Sequence, residues 1–214
     1  MNFDLTLSNK IFKNNLKSYL KIANDSLLLI AEQNELFVTE MQNKTGINDS
    51  WLEESAHLNN AAWIHLNAIY ISLFSSFEHF LLKVVKKVEG IPGTKIQLKH
   101  IGGTAILDKY VMYLFLVGNI DRTDQSKSPW DKIKQFKAVR NLLVHNGGIM
   151  QDSIDSPLEK HPNFLFLKSQ DVIMAGGLGI IRMRNDKILK AFADITSKLT
   201  DEIVTEFQIK FGNN

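Results

Sequence analysis

The segment Arg140-Asn141-Leu142-Leu143-Val144-His145 sets an arginine and a histidine with four residues between them and an amide directly after the arginine. These side chains suit phosphate-ester chemistry. An imidazole titrates near neutrality and can take or give a proton, while a guanidinium stays charged and offers a two-pronged donor to phosphate oxygens. Cleaving an RNA backbone without a metal demands both jobs. One group must move the proton of the 2′-hydroxyl or of the departing 5′-oxygen, and another must balance the charge building on the phosphorus-bound oxygens. His145 is the candidate for the first role and Arg140 for the second. Asn141 would orient the histidine or the substrate.

Helical geometry constrains this set. Asn141 and His145 are four apart and share a face, whereas Arg140 and His145 are five apart and point about 140° from one another. Three arrangements reconcile them: a loosened last turn, an Arg140 that reaches round on its long stem, or a pocket shared by two copies at a twofold axis. The same residues would also serve as a plain helix-end cap, with His145 bonding terminal carbonyls and Arg140 pairing with a neighbouring carboxylate.

The elements that must hold the motif are helical. Ser128-Pro129 reads as an N-cap followed by proline at the first helical position. That helix carries Trp130, Ile133, Phe136, Val139, Leu142 and Leu143 on its apolar face and stops at Asn146-Gly147-Gly148, leaving His145 in its last turn. From about Ser8 to Lys44, Ile11, Phe12, Leu16, Leu20, Leu27, Ile30 and Phe37 predict one long helix or two collinear ones, with Asn24-Asp25-Ser26 as the weak point. Asp49-Ser50 with Glu53 predicts a capped second helix, whose stripe from Leu66 through Phe77 and Phe80 to Val88 ends at Gly90-Ile91-Pro92-Gly93. A third helix is expected over Thr104 to Val117, then a polar loop from Asp121 to Lys127. The apolar runs Phe164-Leu165-Phe166-Leu167 and Gly179-Ile180-Ile181-Arg182-Met183, around Gly176-Gly177, predict strands, and Asn185 to Phe211 a closing helix. The expected fold is mainly α: an antiparallel helical bundle, one domain over residues 1–214, with an N-terminal helical extension over about 1–45 and a β-hairpin insertion over about 163–183.

Composition narrows the remaining classes. The net charge of +2 on 214 residues is far from the bulk basicity of a nucleic-acid coat, so any RNA contact must be local. Lys134 and Lys137, on the motif's own helix with Lys132, are the candidate phosphate contacts, and Lys83, Lys86 and Lys87 share a second basic face. The absence of cysteine removes disulfides, thiolate metal sites and cysteine nucleophiles. His65, His79, His100 and His161 show no paired-ligand spacing, so no metal and no cofactor are expected. Gly176-Gly177-Leu178-Gly179 lacks the lysine of a phosphate loop and reads as a hairpin turn, and Trp51, Trp63 and Trp130 read as packing residues. The most apolar stretch, Val111 to Val117, is short for a membrane span, and the first residues lack a secretory pattern, so a cytoplasmic protein is expected.

The arginine, the following asparagine, the four-residue gap and the glycine-stopped helix end resemble the HEPN superfamily (higher eukaryotes and prokaryotes nucleotide-binding domains), over about Asn60 to His145 plus the closing helix. The resemblance implies a metal-independent endoribonuclease that leaves a 2′,3′-cyclic phosphate, with Arg140, Asn141 and His145 at its centre. It also implies an acidic residue on a facing helix, which Glu78 would supply, and a homodimer with both motifs on a shared cleft. It places such chains among toxins and antiviral-defence effectors with RNA as substrate and an antitoxin or defence protein as partner. Non-catalytic members of the superfamily imply the alternative, a dimerising module that binds nucleotide or RNA.

Overall fold

The computed structural model describes residues 4–42, 49–103, 105–120 and 129–212. Among them run six α-helices: α1 (Leu5–Gln42), α2 (Asp49–Glu89), α3 (Ile106–Leu116), α4 (Pro129–His145), α5 (Phe164–Ser169) and α6 (Lys187–Phe211). Two strands, β1 (Ile173–Ala175) and β2 (Ile180–Arg182), pair antiparallel with Ile173 opposite Arg182 and Ala175 opposite Ile180. The architecture is therefore mainly helical with a small hairpin before the last helix, as the sequence predicts.

Local chemistry explains most boundaries. α1 runs unbroken through Asn24-Asp25-Ser26, where Ala23 is fully buried and Lys21 pairs with Asp25 one turn on. α2 ends at Glu89, ahead of Gly90 and of Gly93 at φ +89°. Pro129 is the first residue of α4, where its missing N–H costs no intrahelical bond. Ser128, the 121–127 loop and the side chains of the Asp49-Ser50 cap lie outside the described residues.

One expectation is corrected. Phe164-Leu165-Phe166-Leu167 is not a strand but the body of α5, with Leu167 N–H bonding Asn163 O and Gln170 N–H bonding Phe166 O. A four-residue apolar run carries no period of its own, so tertiary contacts decide it. Here Leu167 is fully buried and the Phe166 ring meets Phe136 edge-on at 5.1 Å, while Leu165 faces outward. The hairpin accordingly spans Ile173 to Arg182 rather than beginning near residue 163. Its turn closes with Gly179 N–H on Gly176 O, and both glycines have positive φ.

The chain forms two compact units, each gathered from separate stretches. The first comprises residues 1–16, 74–134 and 192–214. Its centre is aromatic: Phe77, fully buried, lies 6.2 Å from Phe12, 6.4 Å from Trp130 and 6.0 Å from Phe192, ring centre to ring centre. The second comprises residues 17–73 and 135–191 and buries Leu66, Tyr70, Leu73, Val139, Ile181 and Ile188. α2 contributes to both, and its stretch Trp51–Glu89, with mean hydropathy reaching 1.4, is long and apolar enough to cross a membrane by length and composition. Half of that apolar window is buried within the fold, as in the core helix of a bundle.

Candidate active site

α4 positions the motif through the face it buries. Ile133, Phe136 and Val139 are buried, and Arg140 follows Ile133 by seven and Phe136 by four residues, so its stem leaves the helix on that same side. Consequently Arg140 is half-buried, and its Nε is shielded from solvent with no hydrogen-bond partner. Its Nη1 turns back along the helix, 3.3 Å from Asn141 Oδ1 and 3.5 Å from His145 Nε2. The helix runs to His145 without a loosened last turn, and within the chain the arginine reaches round to the histidine. All three motif side chains meet within one chain.

The cap reading does not describe this geometry. Among the described residues Arg140 has no carboxylate partner, and the recorded neighbour of the His145 ring is the guanidinium rather than a terminal carbonyl. A guanidinium can only donate, so any hydrogen bond across this long contact requires the tautomer with an unprotonated Nε2. His145 itself is exposed, at the open end of the helix.

Backbone and side-chain contacts fix α4 and its end. Asn146 N–H and Gly148 N–H both donate to Leu142 O, at 3.1 and 2.9 Å, across a turn in which Gly147 and Gly148 take φ of +60° and +79°. Ile181 N–H of β2 donates to Gly148 O at 2.8 Å, and Ile149 forms an isolated antiparallel bridge with Ile180. From α2, Asn67 Nδ2 donates to Ile181 O at 3.2 Å, and the Tyr70 hydroxyl donates to Phe136 O at 2.7 Å. Burial raises the Tyr70 pKa well above the usual phenol range, which keeps this donor protonated. The hairpin thus braces the motif, a role no local sequence signal announces.

The other sequence candidates have surroundings of their own. Glu78 is half-buried in the first unit, where its charge, after burial, helps raise the Tyr110 phenol. Lys134 belongs to that unit too, pairs with Asp131 at 2.9 Å, and lines a pocket of about 300 Å³. That pocket is walled by Leu107, Val111, Phe115, Trp130 and Ile133 and contains no histidine. Lys137 is half-buried on α4 in the second unit with the motif. Lys86 is bound to Glu89. His100 and His161 accept backbone N–H groups from Gln97 and Asn163 through Nδ1. Among the described residues no group of three His, Asp or Glu side chains is arranged to hold a metal ion. Trp63, expected as a packing residue, also lies under the Arg182 guanidinium, 5.6 Å from ring centre to cation.

No family model, curated protein or solved structure matches the chain.

Proposed function

We propose that the chain is a metal-independent endoribonuclease of the HEPN type. The observation that carries this reading is the meeting of Arg140 Nη1 with His145 Nε2 and Asn141 Oδ1 at an exposed helix end, with no carboxylate to neutralise the arginine. In this reading an RNA phosphate takes the place of the missing anion against Arg140. The 2′-hydroxyl attacks phosphorus and its proton leaves to a base. The bond to the 5′-oxygen breaks as that oxygen gains a proton. The products are a 2′,3′-cyclic phosphate and a 5′-hydroxyl. His145, freed from the long contact when phosphate engages Arg140, is the group that moves the proton; Arg140 holds the charge on the nonbridging oxygens; Asn141 keeps the guanidinium turned toward the histidine. Lys137 adds long-range attraction for the backbone. Two copies facing one another would offer a pair of such sites on one cleft, and a toxin or antiviral-defence role would follow from kinship.

The test is cleavage of a mixed RNA pool in excess EDTA by wild type, Arg140→Ala and His145→Ala proteins of matched melting behaviour. Cutting by wild type alone, with cyclic-phosphate ends, supports the proposal. RNA or nucleotide binding with no cutting by any form replaces it with the non-catalytic binding module.

A further inference from the structure

Arginine is scarce in this chain: of 25 basic residues only four are arginine, at positions 122, 140, 182 and 184. Arg122 lies outside the described residues; the other three all fall in the second unit. Arg182 closes β2 and Arg184 follows two residues later, while the residues between and before them, Met183 and Ile181, are buried. This alternation turns both arginines to the side opposite the core. Arg182 is half-buried over the Trp63 ring, and its Nε, like that of Arg140, is shielded and without a hydrogen-bond partner. Arg184 is exposed. Among the described residues none of the three has a carboxylate partner.

Partly buried cations without a counter-charge are costly unless an anion completes them. These cations are also tied to the motif. Ile181, next to Arg182, donates its N–H to Gly148 O, three residues beyond His145. Taking about 5.5 Å across a bonded strand pair, 3.8 Å to the next Cα and under 7 Å across the turn, the Arg182 Cα lies within about 16 Å of that of His145. Arg184 lies two residues beyond the end of β2 at Arg182, so their Cα atoms are at most about 7 Å apart, comparable with the step between successive phosphates of a single strand.

We propose that Arg182 and Arg184 form a phosphate track that holds a single RNA strand beside the Arg140–His145 pair, with Trp63 fixing the plane of Arg182 so that its Nη groups can donate. The inference rests on the ribonuclease reading and assigns it a single-stranded substrate. The Arg182 guanidinium stacks on the ring face with its Nε shielded, so contact with phosphate falls to its two Nη groups.

The probe is a short fluorescent 2′-O-methyl oligoribonucleotide, which cannot form the cyclic phosphate, titrated by anisotropy across a salt series. Expected is a drop in the log–log salt slope of about 0.7 for Arg184→Met and about 1.4 for the Arg182→Met, Arg184→Met pair. On a cleavable strand the pair should raise KM at unchanged kcat, and lysine at both positions should recover the slope. Arg184 is exposed, so its variant tests the idea even if Arg182→Met disturbs the hairpin. An unchanged slope and KM in the double variant would overturn the track alone. Binding with the expected slopes but no cleavage by wild type supports the track while removing the nuclease reading. Absence of binding by wild type overturns both.

Discussion

At the end of α2, Lys86 and Glu89 pair at 2.7 Å and the Glu89 carboxylate also accepts the Leu98 N–H at 2.7 Å, whereas at the end of α4 Arg140 meets only an amide and an imidazole. Both helices stop at glycine, and both carry a basic residue near the stop. Around Glu89, burial alone would raise the carboxyl, but the Lys86 bond and the Leu98 N–H outweigh it and hold the pKa below the usual glutamate range. The Lys86 and Glu89 charges there are paired, and the backbone beyond the helix is latched to the carboxylate. At α4 the latching is left to neutral groups, Gly148 O and Ile181 N–H, and the charge is left over. The Glu89 charge is satisfied internally, and under the proposed function the Arg140 charge is left for phosphate. The comparison predicts opposite consequences for mutations at the two ends.

The largest effect is expected at α4. His145→Ala and Arg140→Ala should each lower RNA cleavage by about 10²–10⁴-fold, the usual worth of a positioned acid–base group, with little change in thermal stability. Arg140→Met should even melt slightly higher, since it removes a partly buried charge with no counter-ion. Single-turnover rates and melting curves on the same preparations check this. A variant that lost activity only in proportion to lost folding would erase the distinction between the two ends.

At α2 the opposite is expected. Glu89→Gln should cost about 1–3 kcal/mol, the range for a hydrogen-bonded charge, with RNA cleavage unchanged at temperatures where the protein stays folded. The pH dependence has a definite sign. Because the folded carboxyl is depressed, its contribution is fully present above the ordinary glutamate pKa and is lost as pH falls through the folded value. Urea unfolding of both proteins from neutrality into the acid range should show the gap between them closing on acidification. A gap that stayed constant would mean that Glu89 acts through packing rather than charge.

How much of this was legible in the residues depends on range. The motif helix was, because its signals are local: Pro129 at the first position, a three-to-four-residue apolar repeat, and Asn146-Gly147-Gly148 at the stop. Which way Arg140 turns was not, because a five-residue spacing permits several side-chain routes. α5 was misread because Phe164 to Leu167 is too short to show a period, and its partner Phe136 lies 30 residues away in the chain from Phe166. Tyr70 belongs to a stripe read as apolar packing and Asn67 lies beside it, yet their polar ends reach Phe136 O and Ile181 O, which are 66 and 114 residues distant. Arg182 was visible only as part of an apolar run; nothing local couples it to Trp63 or to the turn after His145.

The brace between β2 and α4 gives a smaller and sharper test of the same contrast. Gly148 has φ +79°, and a Cβ there would meet Leu143 Cδ2 at 3.5 Å and Ile181 O at 4.0 Å, both ordinary contacts. Space is therefore not the obstacle, and the cost of Gly148→Ala is conformational, about 1–2 kcal/mol for an L-residue in the left-handed region. The strain falls on the turn that sets the end of α4, so cleavage should drop more than this stability loss explains, while Gly93→Ala, at φ +89° with open space around it after α2, should carry a similar strain and leave cleavage intact. Equal effects of the two alanines on cleavage would show that the α4 end is no more finely placed than the α2 end, and the case for a positioned Arg140–His145 pair would weaken accordingly.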